Sequence, residues 1–192
     1  IRDGVAPDPD AYLSGMERQI RALASLVDDL QLHSRIVSGT FDMTRTRLDL
    51  TELADKAMET LRPLAETRHV ALLLEAEQRV TVDADGSQLA RVIRNLLENA
   101  IRHAPDGSVV LVQVGASPGT ATLRVVDQGD GFPPDFRDRA FEPFTRADPA
   151  RDLRTGTAGL GLSIARGIVT AHGGTIGVAD GPGGIVEVAL PA

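Results

Sequence analysis

Cysteine and tryptophan are absent from the 192 residues, and aromatic side chains are scarce, with five phenylalanines and one tyrosine. Without cysteine the chain can build neither a disulfide framework nor a thiolate metal site, and it has no cysteine nucleophile, which fits a reducing, cytoplasmic setting. No apolar run reaches about 18 residues, so no membrane span is expected, and the opening IRDGVAPDPD lacks the apolar stretch of a signal peptide. Four scattered histidines do not suggest a zinc site. A basic face is lacking as well: the formal net charge of −7 opposes binding to nucleic acid, whose backbone attracts clustered cations. What is present is a globular composition, 42% hydrophobic and 24% charged, enough for one real core and a smaller second segment.

The N-terminal third reads differently from the rest. After APDPD, Leu13, Met16, Ile20, Leu23, Val27, Leu30 and Val37 fall in alternating steps of three and four, a heptad seam. Such a helix packs either on its own domain or in a dimeric bundle, and Gly39 ends it. A second start signal follows in LDLTEL, where Asp49 can cap, Glu52 sits three residues on, and Leu48 can staple to Leu53. The helix expected from Leu50 to Arg68 would bury Leu53, Ala57, Leu61 and Leu64. The boundary between the two segments is placed at 45/46.

The remainder, 46–192, has an α+β pattern. VALLLEA (70–76) and RVTVDA (79–84) predict a strand pair. Asp85 then caps the helix SQLARVIRNLLENAIRHA, which buries Leu89, Ile93, Leu96, Leu97, Ala100, Ile101 and Ala104 before Pro105 and Gly107 stop it. SVVLVQVGA and TATLRVVD form two more strands around the turn SPGT. Residues 128–157 are long, rich in Pro, Gly and Arg, and aperiodic, as in a lid or binding loop. The helix GLSIARGIVTAH and the strands TIGVAD and GIVEVALP close the chain.

Chemistry gathers in a few stretches. Ten of the nineteen glycines lie between Gly156 and Gly184, and GTAGLGLS (156–163) opens a helix whose free N–H groups suit phosphate oxygens. It is not a P-loop, because no G-x-x-x-x-G-K-[ST] occurs. Asn95 and Asn99 lie one above the other, with Arg102 and His103 a turn further along the same edge. They read either as solvent-facing amides or as an oxygen ligand for Mg²⁺ plus a polar nucleotide contact, with Arg102 reaching phosphate. Directly after ATLRVV, DQGDGF (127–132) offers one acid and two glycines at a strand end.

NLLENAIRHA, DQGDGF, FEPFTR and GTAGLGLS, in that order, resemble the N box, first Gly box, F box and second Gly box of sensor histidine kinases, members of the GHKL ATPase superfamily. The resemblance covers about residues 64–192, and the heptad helix is similar to the second helix of the family's dimerisation and phosphotransfer region. It implies a two-layer α/β sandwich, a mixed sheet covered by helices, preceded by a helical dimerisation segment. It further implies ATP and Mg²⁺ as cofactors.

Carried onto this chain, the resemblance assigns Asp127 to the adenine amino group and Gly129 and Gly131 to backbone passage beside the base. Asn99 becomes the Mg²⁺ ligand, Asn95 the first N-box asparagine, and Arg102 and His103 stand where the family usually has Lys and an aromatic residue. Arg146 becomes a basic lid residue near the phosphates, Phe141 and Phe144 lid anchors, and Gly156, Gly159, Leu160, Gly161 and Leu162 the phosphate cradle. GPGGIVEVALP fits the closing Gly motif but lacks its frequent hydroxyl residue. Asn95, Glu98 and Arg146 are the catalytic candidates, with Glu98 either polarising a nucleophile or lying as a solvated helix charge.

One departure is larger. The S-H-E-L-R-T-P-L type of acceptor motif is absent, and His33 in QLHSRI lacks the acidic neighbour and the following T-P. His69 and His172 read as a helix end and a turn. The implied partners are therefore a phosphoacceptor helix of the same parent kinase and a response regulator, with a possible homodimer, no nucleic acid and no direct membrane contact by this segment. The implied location is cytoplasmic, on a parent anchored in the membrane. A GHKL-type ATPase or a nucleotide-sensing dimerisation module stands as the alternative.

Overall fold

The computed structural model describes residues 9–145 and 159–192. Helix α1 (Pro9–Val37) is closed by Gly39 at φ +69°, where the N–H of Gly39 donates to Ile36 O (3.2 Å) and that of Thr40 to Arg35 O (3.1 Å). This is a Schellman ending, which a left-handed glycine permits without strain. The heptad residues face solvent, from Met16 at 43% to Val37 at 73% exposure, whereas Leu32 (5% exposed) and Ile36 from the other side of α1 join the main core.

Strand β1 (Thr46–Asp49) leads into α2 (Leu50–Thr67), and Asp49 caps α2 by accepting from the N–H groups of Thr51 (2.9 Å) and Glu52 (3.2 Å). The Glu52 carboxylate pairs with Lys56 at 2.5 Å along the helix rather than closing the capping box. The buried stripe of α2 is Leu50, Ala54, Met58, Leu61 and Ala65; Leu64 is exposed, and Leu53 and Ala57 are only partly buried. The expected face is thus corrected by one residue step. Two adjacent apolar stripes exist on α2, and packing against α3, β2 and β4 selects between them.

A second correction concerns the strands. β2 (Ala71–Ala76) and β3 (Thr81–Ala84) do not pair with each other. β3 pairs antiparallel with β1, Thr46 opposite Ala84, while β2 runs parallel to β4 (Val109–Ser117), Ala71 opposite Val109. β1 was hidden because its four residues end in the helix-capping aspartate, so their local chemistry read as a helix start.

The chain continues through α3 (Gly86–His103), β4, β5 (Thr120–Val126), the short α4 (Pro134–Arg137), α5 (Gly161–Ala171), β6 (Thr175–Val178) and β7 (Ile185–Pro191). The five-stranded sheet has the order β2-β4-β5-β7-β6, with one parallel pair and three antiparallel ones. Val110, Val112 and Val114 of β4, with Ala121, Leu123 and Val125 of β5, turn inward at every second position and meet Leu89, Ile93, Leu96 and Leu97 of α3 and Ile164 and Ile168 of α5. Each fully buried side chain of this size contributes about 1.5–3 kcal/mol. On the open face Gln113 donates to Glu75 (2.9 Å) and Arg124 pairs with Glu187 (3.1 Å). The result is a mixed sheet with helices on one face, the expected two-layer α/β sandwich. No helix among the described residues is long and apolar enough to cross a membrane.

Candidate nucleotide site

The site is built where β5 ends, where α3 presents its polar edge and where α5 begins. Asp85 starts α3 by accepting from the N–H groups of Ser87 (3.0 Å) and Gln88 (3.1 Å). From that start the helical period puts Gln88, Arg91, Asn95, Asn99 and Arg102 on one stripe, beside the apolar face. Asn95 is half-buried, and its Nδ2 donates to Gly161 O at 3.0 Å, tying α3 to the first turn of α5. Asn99 is half-buried a turn further on. The edge therefore borders the core, as its sequence position suggested, rather than facing open water.

Asp127 follows the last residue of β5 and is only 4% exposed. Its Oδ1 accepts from the N–H of Gly129 (2.8 Å) and of Gly184 (3.2 Å), and its own N–H donates to Gly184 O (2.9 Å). Both side-chain bonds fall on Oδ1, and no hydrogen bond from the described residues falls on Oδ2. Burial pushes the Asp127 carboxyl above the usual carboxylate range, opposed by these two hydrogen bonds and by the charge of His103.

The glycines here are dictated by contact. A Cβ on Gly129 would collide with His103 O, one on Gly131 (φ +73°) with Gly183 O, and one on Gly183 (φ +82°) with Asp127 O. At Gly184 the Cβ would press into the Asp127 carboxylate itself. The closing GPGG segment thus supports Asp127 from behind with backbone alone, and no side chain fits at Gly184. Gly184 was not among the expected site residues; its signal was the motif's final glycine.

At the start of α5, Gly159 takes φ +70° and accepts from the N–H of Phe144 (3.0 Å), and no side chain caps the helix. Leu160 is buried and Leu162 packs against the core, so their contribution to a cradle is the backbone N–H only. Phe141 is buried and anchors its segment, but Phe144 is 62% exposed at φ +61°, which corrects its expected anchoring role. Arg146 and Gly156 lie outside the described residues. Glu98 has Arg94 3.9 Å away on its own helix.

His172 is more than the expected turn. It is 3% exposed, accepts at Nε2 from the N–H of Asp85 (3.0 Å) and donates from Nδ1 to Ile168 O (2.8 Å), so it is the neutral Nδ1–H tautomer and ties the end of α5 to the cap of α3. Among the described residues no group of three or more His, Cys, Asp or Glu could hold a metal. A hard cation here would take Asn99 as its protein oxygen and the rest from phosphate and water, which suits Mg²⁺.

Residues 84–192 match the family described as histidine kinase-, DNA gyrase B- and HSP90-like ATPases. The chain belongs to this family. It is 32% identical over 176 residues to the sensor protein IrlS of Burkholderia pseudomallei, covering 90% of this chain and 38% of IrlS. With the signal transduction histidine-protein kinase BaeS of Escherichia coli it shares 30% over 190 residues, 99% of this chain and 41% of BaeS. The chain thus spans about two fifths of the length of these curated relatives. Among solved structures, the mycobacterial sensor histidine kinase MprB superposes with a TM-score of 0.67 at 32% identity, over 77% of this chain and 97% of that one. The Acinetobacter baumannii kinase AdeS shares the fold at a TM-score of 0.81 and 21% identity, over 97% and 86% of the two chains. The chain is an ATP-binding catalytic portion of the sensor histidine kinase type.

Proposed function

We propose that this chain binds Mg²⁺–ATP and moves the γ-phosphoryl group to a histidine on a separate helix of its parent sensor kinase, for onward delivery to a response regulator. The observation that carries the reading is Asp127, a buried carboxylate with a free oxygen, walled by two glycine loops at the end of the sheet. In this reading Asp127 Oδ2 accepts from the adenine amino group, Gly129 and Gly131 let the loop pass the base, and His103 stacks near it. Asn99 holds Mg²⁺, which supplies charge neutralisation along the triphosphate. Arg102, Arg146 and the backbone of Gly156, Gly159, Leu160, Gly161 and Leu162 hold phosphate oxygens. Phosphoryl transfer through a loose transition state needs alignment and neutralised charge more than covalent help, and these groups supply both. The ShkA kinase, solved full-length in complex with AMPPNP, superposes on 99% of this chain with a TM-score of 0.80 at 25% identity, which supports the ligand class.

Hydrolysis to drive a conformational cycle is the weaker reading. Asn95 is an amide committed to Gly161 O and cannot act as a general base toward water. Residues 1–45 are assigned to the second helix of a dimerisation and phosphotransfer hairpin, and the work is assigned to the cytoplasm. The test mixes this chain with a separate acceptor-helix segment and γ-labelled ATP. Label on histidine is the expected result; bound nucleotide with no transferred label would remove the kinase reading while leaving the site.

A further inference from the structure

We propose that Arg91 is a phosphate-binding residue held in reserve: Asp29 of α1 pins it while α1 is docked, and it reaches the triphosphate when α1 leaves. The proposal rests on the nucleotide reading above.

Arg91 lies on the same stripe of α3 as Asn95 and Asn99, one turn before Asn95. Side chains so spaced have Cβ atoms about 5–6 Å apart, a length an arginine side chain spans. Its guanidinium is instead turned toward α1, where Nη2 donates to Asp29 Oδ1 at 2.5 Å in a pair whose side chains are 22% and 20% exposed. That arrangement is incompletely satisfied. Arg91 Nε and, one turn earlier, Gln88 Oε1 are buried with no hydrogen-bond partner among the described residues, and both residues line a polar cavity of about 270 Å³ bounded by α1, Thr40 to Asp42 and α3. A fully committed structural ion pair would spend its remaining donors on neighbouring oxygens. This one leaves a donor idle and has room beside it for the side chain to move.

The docking of α1 is itself slender. Its apolar contribution among the described residues is Leu32 and Ile36, and Ile36 packs so close to Gly167 of α5 that a Cβ there would overlap its side chain. The other side of α1 is the exposed heptad seam, so α1 keeps most of its apolar surface for something other than this domain. Asp29 and a triphosphate would compete for one cation, and competition of that kind is reciprocal: nucleotide favours release of α1, and release of α1 favours nucleotide. A diphosphate ends short of the γ-oxygens and gains less.

Isothermal titration calorimetry with Mg²⁺ and a non-hydrolysable ATP analogue, then with ADP, tests this on the whole chain. Asp29→Asn frees Arg91, and Gly167→Ala displaces Ile36 without altering any charge. Both are expected to tighten the triphosphate analogue about fivefold or more and to leave ADP within about twofold. Arg91→Gln is expected to abolish the gain, so that the Asp29→Asn/Arg91→Gln double variant behaves as Arg91→Gln alone. Bound nucleotide with equal triphosphate affinities in wild type and every variant overturns the proposal, as does a gain from Asp29→Asn that survives loss of Arg91. No binding by any of the proteins instead overturns the nucleotide reading and the proposal with it.

Discussion

At Asp127 a carboxylate has been taken almost wholly out of water, and two backbone N–H groups return only part of its hydration. Its carboxyl is therefore raised by burial, and the sign of the linkage follows. The group's contribution to stability is full below the unfolded carboxylate value and is lost as the pH rises through the higher folded value. At neutral pH the ligand-free fold carries this cost, so Asp127→Asn is expected to leave thermal stability at pH 7 equal or higher. If Asp127 accepts from the base as proposed, the same change is expected to cost about 1.5–3 kcal/mol or roughly ten- to a hundredfold in Kd for ATP, read by calorimetry. The glycine walls make a second comparison. Gly183→Ala must clear Asp127 O and is expected to cost about 2–3 kcal/mol in denaturant unfolding. Gly119→Ala, at a similar φ of +75° but with nothing near its Cβ, should cost only about 1 kcal/mol.

Among the elements, α3 matters most because the polar stripe of the site rides on it. Asp85 holds its start, receiving the N–H groups of Ser87 and Gln88, the Ser87 hydroxyl (2.7 Å) and, from the segment before β1, the N–H of Thr44 (3.0 Å). Burial raises the Asp85 carboxyl, but these bonds together outweigh it and leave the group below its ordinary value. Stability from Asp85 is thus present above the unfolded pKa of 3.8 and lost as the pH falls through the lower folded value. Circular dichroism melts of the wild type are expected to fall more steeply below pH 4 than those of Asp85→Asn, with Asp85→Ala about 1 kcal/mol less stable at pH 7.

On the scale of the whole molecule, α1 presents an exposed heptad seam. Leu13, Ile20, Leu23 and Leu30 are each more than half exposed along one side of α1, a stripe of apolar surface that no other described residue covers. A second copy presenting the same seam is the expected cover. Sedimentation should show concentration-dependent dimerisation, and Leu23→Asp should shift it to monomer without lowering nucleotide affinity, because Leu23 lies on the side of α1 away from α3. A wild-type chain that stays monomeric at high concentration would overturn this expectation.

Much of this was legible in the linear order of residues wherever one local signal decided the outcome. Asp49 and Asp85 announce their caps, alternation marks β4, β5 and β7, and the glycine motifs mark the walls of the site before any contact is known. These signals act over a few residues, where backbone geometry and hydrogen-bonding groups leave little choice. Other features depended on which surfaces met. Only packing chose between two stripes of α2, sent β2 and β3 to different sheets, buried His172 under the cap of α3 and paired Arg91 with Asp29 across 62 positions of sequence. Each of those outcomes compares nearly equal local alternatives, and the apolar area and charge brought together by distant segments decided between them.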